Sequence, residues 1–195
     1  MTQQTASFDW KAWAKRALPD VLCILLFAAI ALLYFSPALE GKKITGGDHS
    51  QMDGVSVEIQ AYRDAHNGET PRWINSIFGG MPTYQIAPSY DSQTTLNTVE
   101  KAYHLWFPNY VWYICASMLG FYILLRAFNF RQWMSALSAI VWAFSSYFFI
   151  IIAAGHIWKV IALAYIPPTI AGLVLGYRGK YLWGGIVTAL FAALQ

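Results

Sequence analysis

Two short stretches of this 195-residue chain hold the side chains best suited to chemistry. The first, "KKITGGDHSQMDGV" at 42–55, sets Asp48, His49 and Asp53 among glycines directly after a long uncharged segment. A carboxylate in a partly water-excluded cleft becomes more basic and can take a proton from a hydroxyl nucleophile. Asp53 is the weaker candidate for that role, because Gly54 beside it suits a turn. The bland alternative is helix capping: Asp48-His-Ser-Gln51 has the acceptor-x-x-Glx form of a capping box, and Asp53 precedes an amphipathic segment. His49 with the two aspartates could also ligate a metal, but three ligands within six residues match no dedicated spacing, and no metal is assigned. The second stretch, "AAGHIWKVIALAYIPP", places His156 and Lys159 three apart, on one face of any continuous helix there. They could hold a phosphate or pyrophosphate on a lipid-linked substrate. Equally, Lys159 could snorkel to headgroups while Trp158 anchors the interface.

The elements that carry these residues are membrane helices. Hydrophobic residues make up 57% of the chain and charged residues only 12%, and the mean hydropathy is +0.40, which lies outside the soluble range. Spans are predicted at 21–39, 107–125, 134–153, 160–177 and 181–195, as helices of roughly the length that crosses 30 Å of hydrocarbon. The last is the shortest and stops at "ALFAALQ" without a polar flank, so the chain is expected to be truncated, one part of a longer membrane domain covering 1–195. The first segment is too long for a secretory signal and lacks a small-x-small cleavage site. Pro167-Pro168 predicts a kink or break in the fourth span. Cys23 and Cys115 fall in spans and read as small core residues. The net charge of +3 is scattered, which argues against nucleic acid as a partner.

Lys11, Lys15 and Arg16 precede span one, Arg126 and Arg131 join spans two and three, and Arg178 and Lys180 join four and five. By the positive-inside rule those ends and the N-terminus are cytoplasmic, which puts the long loop 40–106 and the "AGHIWK" turn outside. Within that loop Val55, Ile59 and Tyr62 recur at helical spacing, and Leu96, Val99, Tyr103 and Trp106 form a second stripe expected to lie in the interface. Between them, "PRWINSIFGGMPTYQIAPSY" reads as a structured turn region that includes Pro88 and Tyr90. Trp73, Asn75 and Tyr84 could line a sugar site, since aromatic faces stack on sugar rings and an amide satisfies hydroxyls; loop packing explains them as well. Gln85 has no more claim than any exposed amide, and Arg63 and Arg72 read as solvated loop charges.

The blocks "YFSPALEGK", "GGDHSQ", "RWINSIFGGMPTYQIAPSY", "GFYILLRA", "AFSSYFFIIIAAGHIWK" and "LAYIPPTIAGLVLGYRGKYLWGG" resemble the N-terminal portion of the YfhO family of bacterial polytopic membrane proteins. The resemblance runs from about Pro19 to Gln195. It implies an all-α polytopic fold of the GT-C glycosyltransferase superfamily, here about five transmembrane helices with a long helical first outer loop. The implied activity transfers a sugar from a polyprenyl-phosphate donor to a glycan or envelope-polymer acceptor on the outer face of the bacterial cytoplasmic membrane. In such enzymes an acidic residue in the first outer loop is essential. By that analogy Asp48 becomes the leading catalytic group, Asp53 the second, and His156 and Lys159 candidates to hold the leaving phosphate. Membrane lipids are the surrounding partner, and no cofactor is specified. A lipid-linked substrate transporter or flippase, or a non-enzymatic envelope assembly subunit, would need similar amphipathic loops and kinked helices.

Overall fold

A computed structural model describes residues 9–42, 44, 47–86, 94–104 and 107–195, apart from the side chains of His49, Thr94 and Asn97. Pro88, Tyr90 and Trp106 of the sequence patterns therefore lie outside the described residues. The chain is mostly helical. Helix α1 (Trp10–Tyr34) is followed by the single turn α2 (Ser36–Leu39), and α3 (Gly47–Ala65) opens the long loop. Two short strands, β1 (Trp73–Ile74) and β2 (Met81–Pro82), precede a 3₁₀ turn (Thr83–Gln85) and α4 (Thr94–Tyr103). Then come α5 (Asn109–Ala127), α6 (Gln132–Ala143), α7 (Ser146–Ala154), α8 (Ile157–Tyr177) and α9 (Tyr181–Leu194).

Three helices, α1, α5 and α8, are long and apolar enough to cross a membrane, or up to four spans if α6 and α7 count as one. This agrees with a multi-pass membrane protein and differs from the expected five spans in four places. The first helix is displaced from 21–39: the Asp9 carboxylate accepts from Lys11 N (3.0 Å) and Ala12 N (3.1 Å), so it starts ahead of Pro19 and ends at Tyr34. The third span is bent by 42° between α6 and α7, where Ser145 takes an extended conformation (ψ 144°). A run of apolar side chains carries no sign of such a break, because hydropathy does not report backbone torsion. The fourth helix is unbroken despite Pro167 and Pro168. The last, α9, has 14 residues and is about 21 Å long, short of a hydrocarbon core.

Helix α8 is closely packed where its prolines remove helical hydrogen bonds. Pro168 has no N–H to give the Ala164 carbonyl, which is left without its helical donor. Gly120 of α5 lies against that carbonyl so closely that a Cβ there would stand 2.2 Å from Ala164 O and 3.1 Å from Pro168 Cδ. A glycine thus lets α5 cover the gap that the prolines open. On the far side, α9 approaches α8 through Gly172, Gly184 and Thr188 in the same way. Helix α5 is the centre of the core: Val111, Trp112, Ile114, Cys115 and Met118 are buried against Cys23, Phe27 and Ala31 of α1, Ala136 and Ala139 of α6, and Val160 and Ala164 of α8.

The loop has a small core of its own, where Val55 and Ile59 of α3 meet Ile74 of β1. Tyr62, expected on the same stripe, is exposed and stacks on His66 at 3.8 Å. β1 and β2 pair antiparallel, Trp73 with Pro82 and Ile74 with Met81. The Glu58 carboxylate holds this hairpin to α3 by accepting from Asn75 N (2.9 Å) and Ser76 N (2.8 Å). Those two donors favour the ionised form and keep the Glu58 carboxyl below its ordinary value of 4.5. At the other end of the loop Tyr103 drops between Trp112 (4.7 Å) and Phe191 (5.7 Å), so α4 docks on the helix bundle through that ring.

Candidate functional site

Helix α3 starts at Gly47, so Asp48 stands in its first turn and the helix continues through Asp53-Gly54. Neither aspartate precedes a helix, and both capping expectations are corrected. Glycine and aspartate are breakers only by local preference, and here the buried Val55 and Ile59 face outweighs it. Five helical positions separate the two carboxylates, which turns them about 140° apart around the axis. They enter different cavities as a result.

Asp48 faces a cleft of about 750 Å³ shared with Gln51, Gln85, His156 and Lys159, with apolar walls from Val55, Ile77 and Trp158. Its partner comes from the turn between α7 and α8. Gly155 ends α7 in the left-handed region (φ 94°), a conformation that suits glycine, and the chain reverses there. His156 follows as the N-cap residue of α8. Its side chain does not cap α8 but reaches α3, where Nδ1 lies 3.1 Å from Asp48 Oδ2. Both side chains are about half exposed, at 47% for His156 and 46% for Asp48, so these residues alone do not supply the desolvation expected around Asp48. Lys159 sits in the first turn of α8, and its charge adds to the positive end of the helix dipole. The cleft therefore presents one carboxylate, an imidazole, an ammonium and two amides around an open space. That set can accept a proton from a hydroxyl and can hold an anion by charge-assisted hydrogen bonds.

Asp53 lines a neighbouring cavity of about 440 Å³ with Lys42, Ser50, Asn109, Tyr110 and Tyr113, and Ile157 contributes to both cavities. Trp73, Asn75 and Tyr84 are not among the residues that line the cleft. Trp73 Nε1 donates to Asn75 Oδ1 at 3.2 Å and its ring covers Gly80, where a Cβ would stand 2.7 Å from the indole nitrogen. Both side chains are thus committed to folding the hairpin, and Tyr84 is exposed on the 3₁₀ turn. Arg63 is a loop brace, donating to Thr70 Oγ1 from Nε (3.1 Å) and Nη2 (2.8 Å). Among the described residues no three His, Cys, Asp or Glu side chains gather closely enough to hold a metal ion; the side chain of His49 lies outside them.

Two features escaped the sequence reading. Gln51 and Gln85 both enter the cleft, the first having been assigned to a capping box and the second to an ordinary exposed amide. The other is a polar cluster between the middle of α1 and the C-terminal end of α5. Asp20 Oδ1 accepts from Tyr122 Oη (2.5 Å) and Arg126 Nε (2.8 Å), and Arg126 Nη1 donates to Phe130 O (2.6 Å). The i, i+4 spacing of Tyr122 and Arg126 was the one sequence signal for it. No protein-family model, curated protein or solved structure matches the chain.

Proposed function

We propose that the chain is the opening portion of a GT-C-type membrane glycosyltransferase that uses Asp48 as general base toward an acceptor hydroxyl. The observation that carries this reading is the meeting of Asp48, His156 and Lys159 in one cleft, from two segments far apart in sequence. The resemblance to the YfhO family supplies the reaction class. Asp48 takes the proton of the acceptor hydroxyl, the oxygen attacks the anomeric carbon, and the bond from that carbon to the polyprenyl phosphate breaks. His156 and Lys159 receive the leaving phosphate, its oxygens replacing Asp48 as the hydrogen-bond partner of His156. Release of His156 frees the carboxylate for its own task. Asp53, in the adjoining cavity, is an accessory at most. The cleft opens on the outer face of a bacterial cytoplasmic membrane in this proposal, where a lipid-linked donor and an envelope-polymer acceptor meet.

Helix α8 is continuous through Pro167-Pro168, so the broken helix that a transporter reading could use is absent from α8. The test is sugar transfer by the full-length protein in bilayers against a panel of polyprenyl-phosphate sugars. One donor should be consumed, and Lys159→Gln should raise its KM by about tenfold, the loss of one charge-assisted contact. Absence of transfer across the panel, or a KM unmoved by Lys159→Gln, would overturn the assignment.

A further inference from the structure

The turn between β1 and β2 exposes a phenylalanine that no part of the loop fold requires. Phe78 is 93% exposed and has a φ of +51°, in the left-handed region that a bulky side chain enters only at a cost. Gly79 (φ +74°) and Gly80 (φ +121°) continue the reversal, and the Trp73 ring closes over Gly80 from behind. Ile77 packs inward on the Val55, Ile59 and Ile74 core, and Phe78 is turned outward.

The level of this tip follows from its neighbour. Ile77 and Trp158 line the same cleft, so the tip stands within that cleft's width of the first turn of α8. Helix α8 has 21 residues and is about 31 Å long, which puts its first turn at headgroup level when it spans a bilayer. Trp158, 72% exposed, and Lys159 are residues that favour that level. With α8 spanning a bilayer, an exposed ring within that reach of its first turn can meet the surface where water gives way to lipid. A bilayer surface can take an exposed apolar ring next to one wall of the cleft and an indole and an ammonium on the other without any further protein.

We propose that Phe78 is a lipid anchor, its ring inserted into the bilayer surface beside Trp158, pinning the hairpin and with it the mouth of the Asp48–His156 cleft to the membrane. The inference rests on α8 crossing the membrane and is independent of the chemistry in the cleft. Cys23 and Cys115 are buried, so with any further cysteine of the full-length protein replaced by serine a thiol introduced by Phe78→Cys can be labelled selectively with an environment-sensitive fluorophore. Replacing so exposed a side chain leaves the core untouched. In the full-length protein in vesicles of zwitterionic and anionic phospholipid, the label should show blue-shifted emission. It should be quenched strongly by a lipid-borne nitroxide and weakly by aqueous iodide, with the reverse order for a label at Glu69→Cys, an exposed charged position. Iodide quenching equal to that at Glu69→Cys overturns the proposal. Shielding from both quenchers overturns it too, because the ring would then be covered by protein.

Discussion

Two of the paired carboxylates among the described residues, Asp20 with Arg126 and Asp48 with His156, lie toward opposite ends of the helix bundle, and they are built for different ends. Asp20 receives donors from Tyr122 and Arg126, and Arg126 is in turn spent on the Phe130 carbonyl; the pair ties α1 to α5 and is about one-third exposed. Asp48 has the His156 ring nitrogen as its partner at 3.1 Å, both side chains are about half exposed, and the space in front of them is open. A carboxylate whose lone pairs are filled by neighbours on rigid helices has little capacity left for a substrate. A carboxylate with one exchangeable partner among the described residues, as Asp48 has, keeps that capacity. Saturation, more than the presence of charge near a membrane, separates the pair that holds the fold from the pair that can act.

The largest effect that would sharpen this contrast is at Asp20. Asp20→Ala leaves Arg126 and the Tyr122 hydroxyl without their acceptor and should cost about 2 kcal/mol of stability, the range for a hydrogen bond to a charged group with moderate exposure. A melting curve in detergent reads this. Transfer activity per folded molecule should not change, and a selective loss of activity would erase the distinction between the two pairs. Next in size is Gly120→Ala, whose methyl would stand 2.2 Å from Ala164 O. Separating α5 from α8 there should cost about 1–2 kcal/mol, read in the same melt. No loss would mean that the helices do not touch at that carbonyl.

A smaller effect concerns the loop that carries one wall of the cleft. The Glu58 carboxyl lies below its ordinary value of 4.5 because Asn75 and Ser76 donate to the ionised form. Its bracing is thus fully present above pH 4.5 and is lost as the pH falls from there through the lowered value. Hydrogen exchange at the Asn75 and Ser76 amides should accelerate relative to the helix amides over that acid window. Glu58→Gln should remove the pH dependence; if it does not, the carboxylate is not the brace.

Much of the local design was legible in the sequence. The Val55 and Ile59 stripe, the apolar segments and the small buried cysteines all follow from composition and periodicity, which report burial. The break at Ser145 and the continuity of α8 through two prolines were not legible, because hydropathy does not report backbone torsion and because Gly120, which packs on α8 at the prolines, lies on another helix. The site divides the same way. His156 and Lys159 were recognisable as a pair, and Asp48 as a carboxylate beside a span. That these three share a cleft, that Asp53 turns away from it, and that Trp73 and Asn75 serve the hairpin are consequences of long-range packing. The helix start at Gly47 decided the place of Asp48 and its continuity through Gly54 that of Asp53, and local turn preference pointed the other way.

The measurement that bears most directly on the central claim is the initial rate of sugar transfer by the full-length protein carrying Asp48→Asn, per mole of inserted protein, beside Asp53→Asn and Asp20→Asn. Loss of a general base predicts a fall of about 100-fold or more for Asp48→Asn alone, with donor binding retained. A rate for Asp48→Asn equal to that of the unsubstituted protein would contradict the account.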